Sequence, residues 1–399
     1  MRAKMIACMA LYLGLSLLLT GCWNSRELND LAIVSGIGID MVPGTDKYRV
    51  SFQVVVPSAS NTSQGASSGQ SSITIYSSTD STIYGALRRT SKRATRKLFF
   101  AHTQLLVLGE SLAKDGINDV FDIFERSHEL RLNTTVLVSR DTDAASVLKV
   151  LLAQESVPSI GLVKKSDNTA KVWGENQKIN VFEVINDITG NGGMTISGVR
   201  IIGSVEDGKK KTNLDQSEVQ AAILMSGQAV FKKGKLIGWI EGPEARGAGW
   251  VVNKILETNL NVDTSDMKNA VAVNVLFSKS KVKVEIVQGL PVFHVLITEE
   301  GNIYETKTFV DLSKNAEIRK LEAALEKQTR VEIQQAVQAA QNMECDYLNF
   351  GNELKRVNPD VWATVEKDWE QLFAKGTLDL KIKAYIRGTG MRLAPFAAP

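Results

Sequence analysis

The chain has 399 residues, of which 44% are hydrophobic and 23% charged, the balance of a folded protein with room for two or three domains. Its 47 Lys and Arg stand against 44 Asp and Glu, and two of the positives, Arg2 and Lys4, lie in a segment read below as removed. The remainder is close to neutral, which excludes a general nucleic-acid binder. Three His and three Cys leave most metal and nucleophile schemes short of ligands, so no metal or cofactor is expected.

The chain opens with the basic residues Arg2 and Lys4, followed by an apolar and small-residue run from Met5 to Leu19. That order is the order of a secretory signal peptide, and the run falls short of the ~20 apolar residues a spanning helix needs. Leu19-Thr20-Gly21-Cys22 resembles the bacterial lipobox. Small residues open the bond to a peptidase, and only a thiol can carry the thioether to lipid. Cleavage after residue 21 is expected, leaving an acylated Cys22 at the new N-terminus, a membrane anchor, and Trp23 beside it at the bilayer interface. With Cys8 removed and Cys22 acylated, Cys345 stands alone and no intrachain disulfide is expected.

Leu31 to Ile39 and Tyr48 to Val56, on either side of Pro43-Gly44-Thr45-Asp46, read as a hairpin. Residues 58–72 are a Ser/Gly-rich insertion loop. The loop contains a formal G-x-S-x-G match at Gly65 to Gly69, but a nucleophile elbow needs a strand before it and a helix after it. Ser67 is therefore read as a loop residue. Thr79 to Leu98 is expected to be an amphipathic helix with Arg88, Arg89, Lys92, Arg93, Arg96 and Lys97 on one face, either solvated or turned toward anionic headgroups or an acidic partner. An apolar run at Leu105 to Leu108, a helix at Asn118 to Phe124 and a strand at Thr134 to Val138 follow, with a charged connector at 125–133.

Residues 164–215 are dense in Gly, Asn, Asp and Lys, and the boundary is placed at Glu206 to Lys211. Beyond it the period-2 pattern is clear. Val271, Val273, Val275 and Phe277 alternate, and Val282, Val284 and Ile286 do so again after a turn read at Ser278-Lys279-Ser280. Leu378, Leu380, Ile382, Ala384 and Ile386 form a third strand with one wet face. Val292 to Ile297 is apolar on both faces apart from His294 and is placed centrally. A stripe from Ile318 through Leu321, Leu325, Ile333, Ala336 and Ala340 to Met343 predicts a long helix over a mostly antiparallel sheet, interrupted at Thr329. Pro359 to Phe373 predicts a second helix, whose Trp362 and Trp369 are assigned mostly to core.

No H-E-x-x-H, Cys/His metal spacing, P-loop or dinucleotide fingerprint is present, which points to a binding or assembly protein rather than an enzyme. The run Gly21-Cys22-Trp23-Asn24-Ser25-Arg26-Glu27-Leu28-Asn29-Asp30, with Leu31 to Asp40 behind it, resembles the start of the Ger(x)C family. Phe124-Glu125-Arg126 through Leu132-Asn133 resembles that family's mid-chain segment. Ala229 to Trp239 and Glu244-Ala245-Arg246-Gly247 resemble the opening of its C-terminal domain. Phe350-Gly351, Asn358-Pro359, Trp362, Trp369, Phe373 and Arg387 to Gly390 resemble its tail.

The resemblance implies a lipoprotein C subunit of a spore nutrient germinant receptor, acting beside two polytopic membrane partners, A and B, in the spore inner membrane without chemistry of its own. The expected fold is multi-domain α+β. It comprises a signal peptide (1–21), an N-terminal mixed α/β region (22–205, with room for two subdomains), a linker (206–217) and a C-terminal α+β domain (218–393) whose antiparallel sheet is covered by the long helix. Trp239 and Trp250 are candidate anchors for a partner, with core packing as the alternative. The competing function is an exported solute-binding lipoprotein of a transporter, which would need two lobes of repeated βα units; the sequence shows no such alternation.

Overall fold

The structure, a computed structural model, describes residues 30–56, 71–190 and 192–390, with Arg2, Ala3, Met5, Ile6 and Met9. β1 (Leu31–Met41) and β2 (Tyr48–Val55) form the expected antiparallel hairpin, and β3 (Ile73–Asp80) extends it. α1 (Ile83–Arg89) and β4 (Lys97–Phe99) follow, then β5 (Leu105–Leu108), α2 (Glu110–Asp115), α3 (Asn118–Arg126) and β6 (Thr135–Ser139). α4 (Ala144–Lys149), α5 (Pro158–Val172) and α6 (Val181–Thr189) lead into β7 (Met194–Gly203). After the short α7 (Val205–Gly208) the chain adds β8 (Ala221–Lys232) and β9 (Lys235–Ile240). The strand order is β3-β2-β1-β5-β6-β7-β8-β9, with β4 on β1.

β1, β5, β6 and β7 run parallel at the centre. Helical crossovers join β5 to β6 and β6 to β7, so this half contains the βα alternation that the sequence reading did not find. A parallel sheet must be covered on both faces, and β5 shows how. All four of its residues are buried, with Leu106 and Leu108 in the core beneath α1, α2 and α3, and Leu105 and Val107 in the opposite core beneath α4 and α5.

One expectation in this half is corrected. The helix placed at Thr79 to Leu98 spans only Ile83–Arg89, followed by a 3-10 turn at Thr90–Lys92. Buried Thr90 turns its hydroxyl onto the Ala86 carbonyl, and Lys97–Phe99 pairs with Leu31–Ile33 as a strand. Pairing to the first residues of β1 outweighs helical spacing. Residues 206–217 lead into β8: Asn213 exchanges side-chain hydrogen bonds with the Ala221 backbone, and β8 and β9 pair onto the first sheet.

The second sheet begins after α8 (Gly242–Val251) with β10 (Thr258–Val262), β11 (Val271–Val287) and β12 (Leu290–Thr306), and ends with β13 (Thr377–Gly388). Its order is β10-β11-β12-β13, antiparallel except for β12 with β13. The turn expected at Ser278-Lys279-Ser280 is absent: these residues pair with Glu299, Thr298 and Ile297 inside β11. A register shift between Val275 and Phe277 inserts one residue, which moves the apolar series from odd to even positions without ending the strand. The true turn is Gln288-Gly289, where φ is +53° and +82°.

α9 (Asn315–Asn342) lies across this sheet as expected. α10 (Phe350–Val357), α11 (Pro359–Val365) and α12 (Trp369–Ala374) close the core. The helix expected at Pro359 to Phe373 is thus two helices separated by a 3-10 turn at Glu366–Asp368, with Trp362 and Trp369 buried as predicted. On the other face Lys281, Lys283, Lys381 and Lys383 alternate with inward residues and are exposed. Every described sheet pairing falls between Leu31 and Gly388.

Candidate functional site

α1 starts where the Thr82 hydroxyl accepts the Gly85 amide at 3.0 Å, and it packs Ile83 and Ala86 downward. α3 buries Val120, Phe121 and Phe124. Between these helices and β4 lies a cleft of about 760 Å³. Its floor is Ile83, Leu87, Leu98, Phe100, Ile123 and Leu130, and Tyr84, Arg88, Arg96, Lys97, Arg126 and His128 stand around it. Asp46, Asp119, Asp122 and Glu129 supply the acidic part of the rim. The volume is within the ~300–1,000 Å³ of small-molecule sites.

The charges are unevenly engaged. Asp119 accepts the Tyr48 hydroxyl at 2.8 Å, and burial together with that carboxylate pushes the phenol up to about 12. Asp122 takes the Arg126 Nε at 2.8 and 2.9 Å, which holds the carboxyl below its usual range. Arg88 donates from Nε to the Tyr84 hydroxyl at 2.9 Å and lies 5.1 Å over that ring. Arg96 and Lys97 have no carboxylate partner among the described residues. Asp119 and Arg126 sit seven residues apart on α3, roughly 10 Å at 1.5 Å per residue. Tyr48 pairs with Met41 and Lys97 with Leu31, so Tyr48 with its Asp119 and Lys97 lie toward opposite ends of β1.

The structure brings together three of the six basic residues singled out in the sequence: Arg88, Arg96 and Lys97. Arg89 instead pairs with Asp80 at 2.6 Å, Arg93 donates to the Ser77 carbonyl at 2.9 Å, and Lys92 is exposed outside the cleft. Leu19, Thr20, Gly21, Cys22, Trp23 and Ser67 lie outside the described residues. Trp239 is half-buried on β9 with the Arg140 guanidinium 4.8 Å over its ring. Trp250 is 0% exposed, so it is corrected from contact candidate to core. The histidines do not converge. His102 packs on Phe99, His128 is on the cleft rim, and His294 lies on the second sheet between Asp379 at 2.8 Å and Glu285 at 3.6 Å. Among the described residues no group of three or more His, Cys, Asp or Glu could hold a metal. Burial pushes the Cys345 thiol up to about 12, so it stays protonated and inert.

The sequence reading passed over a second constellation. Arg246 and Glu332, 8% and 0% exposed, form a two-pronged pair at 2.9 and 2.5 Å between α8 and α9. The Trp250 indole donates to the same carboxylate at 3.1 Å. Burial works against the Arg246 charge, but Glu332 overrides it and holds the guanidinium above its usual value. One turn earlier on α9, Thr329 donates to both oxygens of buried Glu299 at 3.0 and 3.1 Å. Burial pushes Glu299 up to about 8 against those bonds, with Glu332 and Glu326 adding to the rise. Thr329 thus interrupts the apolar stripe because it serves a buried acid. The signal that could have found the pair is Glu244-Ala245-Arg246-Gly247: a Cβ on Gly247 would lie 2.0 Å from the Glu332 carbonyl oxygen, so the helices cross where only glycine fits.

Comparisons with known proteins cover both halves. The family described as spore germination protein N-terminal domain matches residues 24–201, and that described as spore germination B3/GerAC like, C-terminal, matches residues 226–390. Spore germination protein KC of Bacillus subtilis (strain 168) is 33% identical over 95% of this chain and 94% of its own length. Spore germination protein B3 of the same organism is 23% identical over 90% of this chain and 91% of its own. The crystal structure of the GerBC protein superposes with a TM-score of 0.54 at 18% identity, over 88% of this chain and 97% of that one, and shares the fold.

Proposed function

Because this chain belongs to the GerAC-type, or Ger(x)C, family of spore germination proteins, we propose that it is the membrane-anchored lipoprotein subunit of a spore nutrient germinant receptor. It acts by assembly with two polytopic membrane subunits, A and B, rather than by catalysis. The observation that carries this reading is the end-to-end match to germination proteins, in order and across both halves. The Leu19 to Cys22 lipobox supports the anchor. From Cys22 to Leu31 the chain can span at most roughly 30 Å, so an acylated Cys22 keeps β1, and Lys97 paired with Leu31, close to the bilayer on its outer face. A tether of that length also holds the body at high local concentration beside membrane partners.

Nutrient-triggered dipicolinate release from spores tests the reading, comparing Cys22→Ala and a full deletion with wild type over a broad nutrient panel. The expected result is loss of at least one nutrient response in both, with germination by a receptor-independent trigger intact. A deletion that behaves as wild type on every nutrient, in spores freed of redundant receptors, overturns it. A response lost in the deletion but kept in Cys22→Ala overturns the anchor alone.

A further inference from the structure

Resting on the anchored reading, we propose that the cleft between α1, β4 and α3 is a lipid site. It takes one anionic phospholipid of the bilayer to which the chain is tethered, with the phosphate on Arg88, Arg96 and Lys97 and one acyl chain along Leu87, Leu98, Ile123 and Leu130. Three observations lead there. The floor is apolar and the volume suits a single chain with its headgroup. Two of the four acids that line the cleft are already engaged, Asp119 by Tyr48 and Asp122 by Arg126, whereas Arg88 meets only Tyr84, and Arg96 and Lys97 have no carboxylate among the described residues. Asp46 and Glu129 remain on the rim, Asp46 two residues from Tyr48.

The third observation is position. Lys97 pairs with Leu31, nine residues from Cys22 along the chain, so the anchor is joined to the body at the Lys97 end of the cleft. Lys92 and Arg93 are exposed beside it and add to the attraction for an anionic leaflet. A bilayer is within reach by covalent connection, whereas an acidic protein would have to be supplied separately.

The test uses the unacylated chain beginning at residue 23, which keeps every described sheet pairing, titrated calorimetrically with dihexanoyl phosphatidylglycerol below its micelle concentration. Saturable binding is expected, weakened at least tenfold by Arg88→Glu, Arg96→Glu and Lys97→Glu together. These residues are all exposed, so the fold should survive. Leu87→Gln with Leu130→Gln, both half-buried, should weaken it independently. Dihexanoyl phosphatidylcholine and inorganic phosphate should bind at least tenfold more weakly. Equal binding of phosphatidylcholine overturns the anionic part, and equal binding of inorganic phosphate assigns the cations to a free anion. Binding that ignores both variants, or appears only after residues 23–29 are removed, gives the cleft to another occupant and overturns the proposal. The assayed chain has no anchor, so a negative result sinks the cleft and leaves the Cys22→Ala experiment to judge the tether.

Discussion

The cleft rim and the Arg246 cluster are built from the same kinds of side chain, yet water gives them opposite roles. Arg246 is buried in a two-pronged pair with Glu332, with Glu175 adding to the hold on its charge, and that pairing joins α8 to α9. Arg96 and Lys97 are solvated, cost nothing to leave unpaired, and remain open to an outside ligand. A desolvated charge specifies the fold and a hydrated one specifies contacts. Buried Asp40, paired with Arg49 and accepting the Ala144 and Ala145 amides, plays the first role in the half that carries the cleft.

The comparison breaks most sharply at Glu332. Glu332→Ala strands the Arg246 guanidinium in the core and should cost about 3–5 kcal/mol, read as a lower urea midpoint. Arg246→Met with Glu332→Leu removes both charges and should cost distinctly less than the single change, because no orphan charge is left. If single and double variants are equally unstable, packing rather than charge holds this crossing.

Gly247→Ala probes the same crossing through space. Its Cβ would meet the Glu332 carbonyl at 2.0 Å, so the helices must part. A loss of about 1–3 kcal/mol in thermal or urea unfolding is expected.

Glu299 sharpens the comparison through pH. Its pKa is raised from 4.5 to about 8, chiefly by burial. Between those values the folded chain holds a proton that the unfolded chain has released. This contribution is fully present below about pH 4.5 and is lost as pH rises through about 8. Glu299→Gln keeps an acceptor for Thr329 and should flatten that decline, so the variant gains on wild type at pH 9 in paired unfolding curves. Parallel pH profiles would show that Glu299 is ionised in the fold.

The smallest effect belongs to the surface. Arg126→Ala breaks an exposed i,i+4 pair with Asp122 and should leave the urea midpoint close to that of wild type. A clear drop in the midpoint would mean that the cleft rim is structural rather than free.

Much of this was legible before any coordinates. Alternation set the second-sheet strands, and the Ile318 to Met343 stripe placed the long helix, because one-sided burial leaves a period in the sequence. β11 was misread as two strands because a bulge shifts the period by one residue, as a turn also can. The basic helix was misread because Lys97–Phe99 is short, and its strand identity comes from Leu31–Ile33, some sixty residues earlier by rough count. Three of the six basic residues singled out in the sequence line the cleft, but the cleft itself is not legible there. Its floor joins Leu87, Leu98, Ile123 and Leu130, which no local spacing relates.

The sequence by itself determined the family, the α+β class and the long helix over its sheet, since these depend on local period, composition and ordered motifs. Tertiary structure alone decided that β8 and β9 complete the first sheet, that Trp250 is core, that Arg246 meets Glu332, and that Arg88, Arg96 and Lys97 share a cleft. Each of these depends on which distant groups exclude water from one another, and desolvation depends on three-dimensional proximity, not on order along the chain.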